Sequence, residues 1–210
     1  MARTDSDTAA GNRTTEKGSE MMLADTLEQS LFRSVESALA FAFSERYVYL
    51  PQSPASRMAS TPSRTGNGLG GIDGYAQAGM ILANVSALGE LQAAILTARF
   101  SPPIGECHCG APCCKGFRHN LRWLAAVATV SEYVGVEVPA ILPYKRLREG
   151  IIRKHFGDKV RLGEVADNCG VHRNTASNHA SRVLAALKDE EKRARFEIRA
   201  VLEGSGVVGQ

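Results

Sequence analysis

Residues 162–187, LGEVADNCGVHRNTASNHASRVLAAL, leave this chain few ways to fold. Leu162, Val165 and Ala166 recur at the spacing of one face of a short helix, and Ala176, Ala180, Val183 and Leu187 do so for a second helix running from about His172 to Leu187. Between them stands Cys169-Gly170-Val171. Gly170 suits the positive φ of a tight turn between helices, Ala166 is small enough for two helices to cross on it, and Val171 plugs their angle. The spacing predicts a helix-turn-helix.

The residues outside that apolar stripe carry the functional expectation. Arg173, Asn174, Ser177, Asn178, Ser181 and Arg182 fall on the opposite face of the second helix, where they would meet base edges and phosphates of duplex DNA. His172 and His179 are placed on or beside the same face, where protonation would add positive charge. From Tyr144 to Lys188 ten Lys or Arg stand against four acids, although the whole chain carries only +3. Such a local surplus is the electrostatic footprint of a polyanion partner, and Lys145, Arg146, Arg153 and Lys154 are the expected phosphate contacts.

The order Glu164-Val165-Ala166, Gly170-Val171, Asn174-Thr175-Ala176 and Arg182, closing on Leu187, resembles region four of bacterial sigma factors and the related response-regulator DNA-binding domains. The resemblance covers about 45 of 210 residues. His172 stands where that family has a helix-capping Ser, and Ala176 where it has Val or Ile. The layout is also similar to phage late-gene regulators and antitermination proteins. The resemblance implies a sequence-specific transcription regulator of bacterial or bacteriophage type, with double-stranded DNA as partner and RNA polymerase or a second copy of the chain as a further one. Two alternatives remain: a nucleic-acid-processing enzyme subunit of recombinase or terminase type, and a zinc-bearing interaction protein with no DNA role. No paired carboxylates, Ser/His/Asp set or phosphate-binding loop is found, so no enzymatic activity is expected.

Four of the five cysteines lie within eight residues: Cys107, Cys109, Cys113 and Cys114, with His119 close by. At that density loop-closing disulfides are awkward, and in a reducing compartment such thiolates mostly mean Zn²⁺ held at tetrahedral corners. Gly110-Ala111-Pro112 resembles the turn of a zinc knuckle. Either all four Cys or three of them with His119 complete a structural site; a metal-free turn and a reactive thiol are the other readings. With no basic-then-apolar leader and no apolar run long enough to span a bilayer, a cytoplasmic protein with no membrane partner is expected.

Abundant Ala and Leu at three- and four-residue spacing, with 6% aromatic residues, predict an all-α fold. Residues 1–20 read as a disordered tail, 21–50 as an N-terminal helix, 51–71 as a flexible Pro/Gly linker, 72–140 as a helical module carrying the Cys-rich turn at 106–120, and 141–203 as the helix-turn-helix domain. Within the module, Gly89 is expected to split two helices and Pro102-Pro103 to stop the second. The next helix is expected to bury Leu121, Leu124, Ala125, Ala128 and Val134 around Trp123. Beyond Leu187 a separate mixed-charge helix and a frayed GSGVVGQ end are expected.

Overall fold

The computed structural model describes residues 31–44, 71–107, 111–112 and 115–209. The expected tail at 1–20 and almost all of the 51–71 linker lie outside the described residues. Within them the fold is predominantly helical: seven α-helices and a two-stranded antiparallel hairpin.

The first helix, α1 (Val35–Ala42), begins where Ser34 and Ser37 form a capping box, each hydroxyl accepting the other's backbone N–H. That box stops the helix upstream, so the N-terminal helix expected over 21–50 is confined, among the described residues, to these two turns. Just ahead of it, Phe32 pairs with Val208 in an isolated parallel bridge, its N–H donating to Val207 O at 3.1 Å. The C-terminal segment is therefore anchored rather than frayed, with Val207 and Val208 both buried.

Helices α2 (Gly71–Ser86) and α3 (Glu90–Phe100) are separated at Gly89, as the sequence predicts. Strands β1 (Ile104–Glu106) and β2 (Phe117–His119) follow, with Ile104 opposite His119 and Glu106 opposite Phe117. Asn120 then caps α4 (Leu121–Glu137), its carbonyl oxygen accepting from the N–H groups of Arg122 and Trp123 while its amide donates to Ser101 Oγ and Pro102 O. This satisfied, buried Asn fixes the end of α3 to the start of α4.

The face of α4 differs from the expected one. Trp123, Val127, Val130 and Val134 are buried, whereas Leu121 is 78% exposed and Ala125 and Ala128 face solvent. The face that meets α3, the one carrying Trp123, Ala126, Val127, Val130 and Val134, is the one buried. Trp123 is wholly enclosed and donates its indole N–H to Ala98 O at 3.0 Å.

A 3₁₀ turn at Pro139–Ile141 leads into α5 (Lys145–His155), where Leu147, Ile151 and Ile152 point inward as predicted. Then come α6 (Leu162–Asn168) and α7 (Arg173–Gly204). The last is one unbroken 32-residue helix. Two helices divided near Leu187 were expected from the shift to mixed charge, but no Gly or Pro lies between Arg173 and Glu203 to interrupt the hydrogen-bond ladder. Its second half buries Glu190, Ala194, Ile198 and Leu202 against the central helices, so residues 72–140 and 141–203 share one continuous hydrophobic core. Among the described residues no helix is long and apolar enough to cross a membrane.

Candidate nucleic-acid interface

The junction of α6 and α7 is built from the small residues that the sequence singles out. Ala166 and Ala176 are wholly or almost wholly enclosed, Val171 is 8% exposed, and Gly170 adopts φ +66°. Val171 N–H closes back onto Ala166 O at 2.9 Å, which fixes the angle at which α7 leaves the turn. His172 sits at the N-cap of α7, where its Nδ1 accepts the Asn174 N–H at 3.3 Å. The imidazole thus serves as the side-chain cap of α7.

Outward from this junction, Asn174, Ser177, Asn178, Ser181 and Arg182 are all exposed on the first turns of α7, while Val183 and Leu187 point to the core. His172 and Arg173 are exposed as well, but Arg173 leans back over α6 to pair with Asp167 at 2.9 Å, which raises the pKa of its guanidinium. His179 departs from the expectation. It is 9% exposed, its ring lies 6.1 Å from that of Tyr144, and it belongs to the core side of the helix.

The basic segment sorts into three groups. Lys145, Arg153, Arg161 and Arg173 each pair with one of the segment's four acids, Glu149, Asp158, Glu164 and Asp167. Arg148 is 5% exposed and turns inward, donating from Nε to Ser131 Oγ at 2.9 Å and from Nη1 to Leu142 O at 3.2 Å. Arg146, Lys154, Lys159, Arg182 and Lys188 remain, exposed and without an ion pair among the described residues. These five are the cations free to neutralise phosphate.

Their placement is uneven. Tyr144, next to Lys145 and Arg146, packs against His179 and so lies beside the first turns of α7. Lys154 neighbours His155, which is bonded to Glu191; Glu191 stands 13 residues beyond Asn178, about 20 Å along α7 at 1.5 Å per residue. Arg146 and Arg153 border a cleft of about 400 Å³ between α5 and α6, whose floor includes Val165 and the free thiol residue Cys169.

Of the expected metal ligands, Cys109, Cys113 and Cys114 lie outside the described residues. Cys107 continues the hairpin, its N–H donating to Gly116 O at 2.9 Å, so the segment holding all four cysteines starts and ends at one point. His119 is not brought to that point. It stands at the other end of the ladder, opposite Ile104, and strand alternation puts it on the other face of the ribbon from Cys107. Among the described residues no group of three or more His, Cys, Asp or Glu is placed to hold a metal ion.

No family model matches the chain. Comparison with curated proteins and with solved structures likewise returns no match.

Proposed function

We propose that this protein is a sequence-specific DNA-binding transcription regulator of bacterial or phage type, in which α6, the turn and the first half of α7 act as a helix-turn-helix. The observation that carries the reading is the face of α7: Asn174, Ser177, Asn178, Ser181 and Arg182 are all exposed, with nothing apolar among them, while Ala176, Val183 and Leu187 bury the other side. These are side chains of the length and donor/acceptor type that reach base edges in a major groove. The sigma-region-four resemblance supports the same reading, and a cytoplasmic setting goes with it.

The five unpaired cations supply the electrostatic part of binding. If all five neutralise phosphate, the logarithm of affinity falls with the logarithm of salt with a slope of about −4.5. The test is fluorescence anisotropy of the full chain with duplex DNA across a salt series. Arg182→Ala is expected to weaken binding to all sequences and flatten the slope by about one unit. A chain that ignores duplex DNA at low salt is not this kind of regulator.

The same reading gives the central helices a protein-facing role toward RNA polymerase or a second copy. Its support is the exposure of Leu121 (78%), Val136 (74%) and Phe117 (53%) on α4 and the hairpin. It also includes a structural Zn²⁺ held by Cys107, Cys109, Cys113 and Cys114. The closed hairpin between Cys107 and Gly116 favours this sulfur set over one using His119.

A further inference from the structure

Arg173 is the first residue of α7, yet its side chain runs back across α6. Its Nη2 donates to Asp167 Oδ2 at 2.9 Å. On the way the shaft passes over Gly163, where an added Cβ would stand 3.5 Å from Arg173 Nε. Gly163 and Asp167 are four residues apart, one turn of α6, and so share the face on which Arg173 rests. Both partners are open to water, with side chains 71% and 54% exposed, so the pair adds little to fold stability. Its consequence is conformational: a long, rotamer-rich cation is held in one place at the mouth of the junction.

We propose that Asp167 is a positioning residue for sequence recognition, and this rests on the DNA-binding reading above. A guanidinium offers five N–H donors in a planar fork, and the carboxylate engages one edge of it. The bond to Asp167 and the contact with Gly163 restrict where the remaining donors can go, so less side-chain freedom is lost when a bidentate contact to guanine O6 and N7 forms. The negative charge of Asp167 meanwhile opposes phosphates at the same junction. It weakens attachment to any duplex while favouring the one that offers Arg173 its base, so discrimination is gained at the expense of general affinity.

The experiment uses the full chain. A duplex enriched by the wild type from a random library is compared with its scrambled version, for wild type, Asp167→Asn, Asp167→Glu, Arg173→Ala and the Asp167→Asn/Arg173→Ala double variant. Asp167→Asn is expected to bind the scrambled duplex more tightly and to lower the ratio of specific to non-specific affinity roughly tenfold, within the range of one disturbed bidentate contact. Asp167→Glu should recover part of the ratio, and in the Arg173→Ala background Asp167→Asn should leave it untouched. If Asp167→Asn changes both duplexes equally, or lowers the ratio just as much without Arg173, Asp167 is only a repelling charge and the positioning role is overturned. If the wild type binds DNA but enriches no sequence, the positioning role fails and DNA binding stands; if it binds no DNA, both fall.

Discussion

His155 Nε2, at the end of α5, is hydrogen-bonded to Glu191 Oε1 in the middle of α7. Burial alone would lift the Glu191 carboxyl, but the hydrogen bond and charge of His155, with Arg99 and Arg195 nearby, hold it below its ordinary value. A lowered folded-state pKa means that the fold favours the ionised form. That contribution is complete above the ordinary value of 4.5 and is lost as pH falls through the folded value.

Glu191→Gln is therefore expected to lower stability at pH 7 by about 1 kcal/mol, or roughly 2–4 °C in Tm for a chain of this size. The difference between variant and wild type should shrink as the pH is taken below the carboxylate range. Thermal melts followed by circular dichroism across pH check this, and a difference that does not change with pH would contradict the assignment.

Arg148 brings a guanidinium into the core against two neutral oxygens, those of Ser131 and Leu142, with no carboxylate paired to it among the described residues, so its charge is a weak source of stability while its stem fills space. Arg148→Ala is expected to cost about 2–4 kcal/mol through the cavity it leaves, and Arg148→Met, which keeps most of the volume, much less. Urea midpoints for the two variants decide it. Equal losses would mean that the hydrogen bonds to Ser131 and Leu142, and not the packing, are what matter.

The His172 cap makes a local prediction. His172→Ala should lose about 0.5–1 kcal/mol and His172→Ser should restore it, because a hydroxyl can accept the same N–H. Hydrogen exchange of the Asn174 amide reads the effect; equal protection in wild type and His172→Ala would put the cap elsewhere.

For zinc, protein purified without added metal is expected to carry close to one ion per chain, with chelation lowering its Tm. Cys107→Ser should lose the metal and His119→Ala should keep it, given the hairpin register. Elemental analysis of both variants is the measurement, and full retention of zinc by Cys107→Ser would rule out the sulfur set containing it.

What could be read in the sequence was what neighbouring residues decide among themselves. Pro102 and Pro103 cannot continue a helix, Gly89 divides an otherwise unbroken helical stripe, and Leu147, Ile151 and Ile152 mark one face of α5 with no competing stripe. Ala166, Gly170 and Val171 likewise act within one short turn. What was missed depends on distant partners. Leu121, Ala125 and Ala128 form as good a stripe as Trp123, Val127 and Val130, and only the packing of α3 and α5 against α4 chooses between them. The polar neighbours of His179 argue for an exposed position, although Tyr144, 35 positions earlier, covers it. Val207 and Val208 sit in a Gly-rich end that looks loose until Phe32, from the other end of the chain, pairs with it.

The continuity of α7 makes it a lever. At 1.5 Å per residue its 32 residues span about 48 Å, with the polar turns at one end and Ile198 and Leu202 gripped by the core at the other. A rod of that length tilted by about five degrees around its midpoint carries its tip about 2 Å, a large part of the span of one hydrogen bond. Because Ala176, Val183 and Leu187 seat the other half against α5 and α6, one rod ties the turns bearing Asn174 and Asn178 to the central helices that hold residues 190–202.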